Sequence, residues 1–239
     1  MKRALVTGGS GGIGAAVSRR LAADGFHVYV HGFRNGEAAQ ALAATISTAG
    51  GSASAVMFDV ADATAASAAI ASMLAGGPIQ AIVNNAGIHD DAVFPAMRAE
   101  QWTSVIDVSL HGFFNVTQPL LLPMIRTRWG RIVNVTSVAA IAGNRGQVNY
   151  AAAKGALHSA TKSLALEVAS RGITVNAVAP GIIETGMSAA AFDKATIERL
   201  VPMKRAGHPD EVADLIGFLC SEQAGYITGQ VISINGGIV

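Results

Sequence analysis

Tyr150 and Lys154 stand four residues apart in the run Tyr150-Ala151-Ala152-Ala153-Lys154, which is built of good helix formers. On a helix that spacing puts both side chains on one face, one turn apart. A phenol ordinarily ionises at a pH of about 10, too high for ready proton exchange near neutrality, and an ammonium beside it favours the phenolate and lowers that value. Tyr150 then becomes a usable general acid in one direction and base in the other. Ser137 ends a β-branched run upstream, and its hydroxyl can donate a hydrogen bond to an oxygen that is gaining negative charge. The trio fits protonation of a carbonyl oxygen while a hydride reaches the carbonyl carbon, with neither metal nor covalent intermediate. A core tyrosine beside a surface lysine has the same spacing, so the pair needs support from elsewhere in the chain.

That support lies near the start. Gly8, Gly9, Ser10, Gly11, Gly12, Ile13 and Gly14 follow the short run Ala4 to Thr7 directly and open a helical stretch. Glycine at such a turn permits positive φ and close backbone approach, and a helix N-terminus offers unpaired amides and the positive end of its dipole to a diphosphate. No Lys-Ser or Lys-Thr pair closes the loop, which disfavours nucleotide hydrolysis. After the second strand, an NAD site usually carries an acid for the ribose hydroxyls; here the chain reads Val30-His31-Gly32-Phe33-Arg34-Asn35. Arg34 can pair with a 2′-phosphate, so the expected cofactor is NADPH, although an ordinary solvated arginine would look the same. Asp59 and Val60 end a third strand, where the carboxylate either receives the adenine amino group or caps the next helix. Asn84, Asn85, Ala86 and Gly87 follow a fourth strand on the same sheet edge, small enough for close cofactor approach.

Elements able to hold these groups recur along the chain. Strands are expected at 4–7, 27–31, 54–58, 81–84, 131–136, 174–177 and 231–234, with helices at 12–24, 36–49, 64–74, 100–126, 148–170 and 209–220. Short β-branched runs alternating with longer helical ones predict a doubly wound α/β Rossmann fold, with seven parallel strands and helices on both faces, as one domain over residues 1–239. Residues 182–208 break the rhythm and read either as a substrate lid or as an irregular connection. The chain is 51% apolar and 14% charged, with a formal charge of +1 and no basic block, which argues against nucleic acid. Cys220 is the single cysteine and fits a reducing compartment. Met1-Lys2-Arg3 runs straight into the first strand without signal-peptide character, and no apolar run approaches the roughly 20 residues of a membrane span. The expectation is a cytoplasmic protein. Ser137 lacks a Gly-x-Ser-x-Gly surround, and the six histidines show no metal-ligand spacing. His89, Asp90 and Asp91 either line the substrate mouth or form a solvated loop.

The glycine-rich Thr-Gly-x-x-x-Gly-x-Gly, the Asn-Asn-Ala-Gly, and the Ser with Tyr-x-x-x-Lys, in this order over nearly the whole chain, resemble the short-chain dehydrogenase/reductase family. Tyr150 to Gly155, Val175 to Gly181, Glu184-Thr185-Gly186-Met187, and Ile227-Thr228-Gly229-Gln230 with Asn235-Gly236-Gly237 are similar to its 3-oxoacyl-carrier-protein reductases. The resemblance implies reduction of a 3-oxoacyl thioester on acyl carrier protein, homotetramers, and nicotinamide contacts near Pro180, Gly181, Ile183 and Thr185, with Lys154 also holding ribose hydroxyls. It implies that Arg128 and Arg171 receive the carrier protein at the pocket mouth, unless they are merely helix-end charges. Asn84 to Asp91 with Ser109 to Pro119 are similar, more narrowly, to the reductases of bacterial aryl polyene biosynthesis. One position departs from the family: Ser109 stands where an asparagine usually positions a relay water, which puts that member of the proton relay in doubt. A reductase or dehydrogenase for a small alcohol, sugar or steroid shares the same trio. A non-catalytic NADP(H)-binding regulator would more naturally have lost Tyr150 or Lys154.

Overall fold

The computed structural model describes residues 1–185 and 193–239. Its centre is one seven-stranded sheet of order β3-β2-β1-β4-β5-β6-β7, in which every neighbouring pair is parallel. The strands are β1 Arg3–Val6, β2 His27–Gly32, β3 Ser52–Met57, β4 Ala81–Asn84, β5 Gly130–Val135, β6 Ile173–Pro180 and β7 Val231–Ile234. The switch between β1 and β4 reverses the winding direction, and the crevice outside the carboxyl ends of the strands is where such sheets bind ligands.

Alternate side chains of the central strands feed two cores. Ala4 and Val6 of β1, Val83 of β4 and Val133 of β5 pack with α1 (Gly12–Ala23) and α2 (Gly36–Thr48). Leu5, Ile82 and Ile132, one residue out of phase, pack with α3 (Ala63–Ala75) and with later helices on the other face. Period-two alternation with both faces covered is what a buried parallel sheet requires.

The long helix expected over 100–126 is divided. α4 (Ala99–Ile106) runs into a π-turn at Asp107–His111 and continues as α5 (Gly112–Thr127). A π-turn is one residue wider than an α-turn and leaves part of the backbone ladder open. α6 (Ala139–Ala142) and α7 (Val148–Val168) follow β5. Strand β6 reaches Pro180, beyond the expected Ala177, because β7 pairs with it as far as Ile234 opposite Pro180; within it Asn176 is buried with its amide donating to the Ile227 carbonyl at 2.8 Å and its oxygen accepting from the Gln230 amide at 3.1 Å. The 182–208 excursion holds an unanticipated short helix, α8 (Lys194–Leu200), begun by the Asp193 side chain. The last helix is α9 (Pro209–Leu219). Among the described residues no helix is long and apolar enough to cross a membrane.

Candidate active site

The glycine loop and its neighbours form one hydrogen-bonded corner at the carboxyl edge. Gly8 has φ of +60° and Gly12 of +48°, both in the left-handed region that favours glycine. Asn85 donates its side-chain amide to the carbonyls of Thr7 and Gly8 at 2.9 and 3.0 Å. The Thr7 hydroxyl accepts from the amides of Asn85 and Ala86, both at 3.0 Å. The loop after β4 is thereby tied to the loop after β1. Helix α1 begins at Gly11 without a side-chain cap, and a Cβ built on Gly11 would meet nothing within 4 Å. First-turn amides without a side-chain cap, with no acid in that turn and open space beside Gly11, suit a diphosphate, so the residues present fit a dinucleotide.

Asp59 does not cap α3. Its carboxylate accepts from the Ala61 amide at 2.9 Å, whereas Asp62 caps the helix through the amides of Thr64 and Ala65. That leaves Asp59 and the buried Val60 at the strand exit. Arg34 is exposed, its guanidinium 5.6 Å from the centre of the Phe33 ring. Pro180 ends β6 and Gly181 follows it, its amide donating to the Ile234 carbonyl at 2.9 Å. Ile183 is buried and bridges to Gly207, while Thr185 lies close enough to Gly12 that a Cβ there would be 3.1 Å from its methyl. Residues 186–192 of the expected lid, with Gly186 and Met187, lie outside the described residues.

The structure brings Ser137, Tyr150 and Lys154 together. The Ser137 hydroxyl accepts from the Ala139 amide at 3.1 Å and is hydrogen-bonded to the Tyr150 phenol. Lys154 is 3% exposed, and its ammonium donates to the Val135 carbonyl at 2.9 Å, 5.8 Å from the centre of the Tyr150 ring. A Cβ on Gly87 would come within 3.0 Å of that ammonium, so the loop after β4 must be small where the lysine passes.

The electrostatics differ from the expectation that the ammonium lowers the phenol. Burial pushes the Tyr150 phenol up, the Ser137 hydrogen bond opposes that, and the Asp91 carboxylate pushes it further up. Burial also lowers Lys154 to about 8. In this arrangement the phenol keeps its proton near neutrality, as an acid needs to, and the ammonium is the group poised to release one. For stability the sign is fixed: between about 8 and the ordinary 10.5 the unfolded chain binds a proton that the folded chain has released, so stability rises with pH across that window. Urea midpoints are expected to show that rise in the wild type relative to Lys154→Met, and parallel pH profiles would contradict it.

One support, Asn149, carried no sequence signal. Asn149 is fully buried; its amide donates to the carbonyls of Asp90 and Gln101, both at 2.9 Å, and its oxygen accepts from the Tyr150 amide at 2.8 Å. It clamps the start of α7 to the loop after β4. Asn84 donates to the Thr117 hydroxyl at 3.0 Å and to the Asn134 oxygen at 2.9 Å, and Asn134 donates to Thr161 at 2.8 Å. This buried chain joins α5, β4, β5 and α7. Ser109 sits in the π-turn, 3% exposed, its hydroxyl without a partner among the described residues. The 89–91 loop reaches the site, since Gln147 donates to Asp91 at 2.9 Å and Ala92 to the Gly146 carbonyl at 2.9 Å.

Arg128 and Arg171 are placed elsewhere. Arg128 caps the end of α5 with φ of +52°, just before β5, and Arg171 precedes β6. Both are exposed at the amino edge of the sheet, so within one chain they do not border the pocket that Ser137 and Tyr150 form at the carboxyl edge. A β5 of six residues spans roughly 20 Å. The run of β-branched residues between Arg128 and Ser137 is that strand, which makes the separation unavoidable.

Comparison with known proteins adds the following. The family model for short chain dehydrogenase matches residues 2–196. The 3-oxoacyl-[acyl-carrier-protein] reductase FabG of Aggregatibacter actinomycetemcomitans is 44% identical over 236 residues, 98% of each chain. The nodulation protein G of Azospirillum brasilense is 43% identical over 99% of this chain and 98% of its own. The acetoacetyl-CoA reductase of Shinella zoogloeoides is 45% identical over 98% of this chain and 97% of its own.

Proposed function

The chain belongs to the short-chain dehydrogenase family, and we propose that it is an NADPH-dependent oxidoreductase that reduces the 3-oxo group of an acyl thioester on acyl carrier protein. The observation that carries this reading is the Ser137-Tyr150-Lys154 cluster beside the glycine loop at the carboxyl edge.

When bound, NADPH supplies the hydride that reaches the carbonyl carbon. The glycine loop and the start of α1 hold its diphosphate, Arg34 its 2′-phosphate, and Asp59 and Val60 flank the adenine. Asn85 to Gly87, Pro180, Gly181, Ile183 and Thr185 border the nicotinamide end, and Lys154 holds the ribose hydroxyls. Ser137 donates a hydrogen bond to the substrate oxygen as charge develops there, in a setting with little water to compete. Tyr150 gives that oxygen its proton, and Lys154 is placed to replace the proton lost. Ser109, in its wide turn, offers a hydroxyl to a water on the resupply route.

Phe94, in the segment after β4, and Ile141, in α6, are apolar and exposed and suit an acyl chain. The aryl polyene role rests on the resemblance of the 84–91 and 109–119 runs. Arg128 and Arg171 receive the carrier only where an assembly sets one chain's amino edge beside another chain's pocket. Phe114, Leu122 and Leu166, exposed at 61%, 65% and 86%, are apolar faces of α5 and α7 on which a homotetramer can close.

The test follows NADPH and NADH oxidation with a short 3-oxoacyl thioester, a carrier-bound 3-oxo aryl polyenoyl chain and simple ketones. Carrier-bound substrate with NADPH is expected to be preferred, and Arg128→Glu with Arg171→Glu to cost that substrate about tenfold more than the small thioester. A preference for a ketone or for NADH, or equal losses on both thioesters, would contradict the assignment.

A further inference from the structure

The end of β2 carries a histidine that this chemistry does not use. His31 is 2% exposed, and each of its ring nitrogens has a partner. Nδ1 lies 3.0 Å from the Gly8 amide nitrogen and Nε2 lies 2.9 Å from the Phe58 carbonyl oxygen. An amide only donates and a carbonyl only accepts, so Nδ1 is the bare acceptor, Nε2 carries the proton, and the ring is neutral. Burial holds its pKa below the ordinary 6.5, against the Phe58 carbonyl and the Asp59 carboxylate, which act in the other direction.

The ring packs on Phe58 with centroids 4.2 Å apart. The His31 backbone joins the same junction, because its carbonyl accepts from the Gly9 amide at 2.8 Å. Phe58 leads directly into Asp59 and Val60. One side chain thus links the turn that begins the glycine loop to the exit of β3, two segments otherwise far apart in sequence. Gly8 has φ of +60°, a conformation glycine adopts without holding, so the contact at its amide acts together with the Asn85 bond to its carbonyl to fix that turn.

We infer that His31 is a positioning residue for the dinucleotide, its bare nitrogen fixing the Gly8 turn so that the loop is already shaped when the cofactor arrives. The inference rests on the cofactor reading above. It assigns the two bonds different weight: the one to Gly8 shapes the loop that meets the diphosphate, and the one to Phe58 anchors the ring.

Two substitutions separate them. In His31→Asn the side-chain oxygen occupies the place of Nδ1 and can still accept from Gly8. In His31→Gln the amide reaches the place of Nε2 and leaves the Gly8 amide without its acceptor. Each variant loses one buried hydrogen bond, so their thermal midpoints should agree within a few degrees. NADPH dissociation constants from fluorescence titration at pH 7.5 should not agree. The Asn variant is expected within about threefold of wild type and the Gln variant about tenfold weaker, the scale of one buried donor left unmet. With substrate, the loss should appear in the KM for NADPH more than in kcat. Equal affinity in the two variants, with a wild type that binds, overturns the inference alone. A wild type that does not bind NADPH overturns the cofactor reading and this inference with it.

Discussion

Replacing Tyr150 with Phe is expected to lower turnover by about a hundred- to ten-thousand-fold, the range that a general acid contributes, while NADPH binding stays within a few-fold. The ring that fills the start of α7 is kept and only the hydroxyl goes. Two consequences follow from its surroundings. The Ser137 hydroxyl loses a partner but keeps the Ala139 amide, so the local backbone should hold. The hydroxyl placed to protonate the substrate oxygen disappears, and the Lys154 ammonium, 5.8 Å from the centre of the Tyr150 ring, does not stand in its place. Single-turnover measurements with bound NADPH would separate loss of chemistry from loss of binding. Near-normal turnover would remove Tyr150 from the reaction.

The second large effect is Gly14→Ala. A Cβ there would lie 2.1 Å from the Gly8 carbonyl oxygen and 2.7 Å from the Asn85 amide nitrogen, both members of the corner that joins the β1 and β4 loops. Backbone cannot rotate away as a flexible side chain would, so α1 must move off the sheet. Overpacking of this kind costs about 1–3 kcal/mol, which for a chain of this length lowers Tm by several degrees, and NADPH affinity should fall at least about tenfold with it. Gly11→Ala is the control. That residue has an extended φ of −135° and no atom within 4 Å of its Cβ position, so its Tm should match wild type. Equal thermal midpoints for the two variants would show that the close approach at Gly14 is not what holds the corner.

The parts of the site that were legible in the sequence are those made of local spacing. The glycine loop is read from one turn and one helix start, and the Tyr150-Lys154 pair from one helical turn. Both work over a few residues and do not depend on which strands are neighbours. His31 and Asn149 depend on exactly that knowledge. Their partners lie at Gly8 and Phe58, or at Asp90 and Gln101, and only the strand order places them in reach. The π-turn escaped because α4 and α5 share one continuous helical pattern, and one extra residue per turn alters no periodicity over so short a span. The phenol and ammonium shifts escaped for another reason: charge proximity can be guessed from spacing, whereas burial, which dominates both, cannot. Arg128 and Arg171 sit at the amino ends of β5 and β6, because strand polarity, which local spacing does not display, places them there.

That last placement bears on how selectivity should scale with protein concentration. One strand, β5, has the Arg128 charge before its first residue and the Ser137 hydroxyl after its last. Under the proposed carrier role of Arg128, a solitary subunit handles free and tethered acyl groups alike, and discrimination between them emerges only on association. Dilution below the dissociation threshold should erase the advantage of the tethered form while leaving the small thioester's turnover per subunit unchanged.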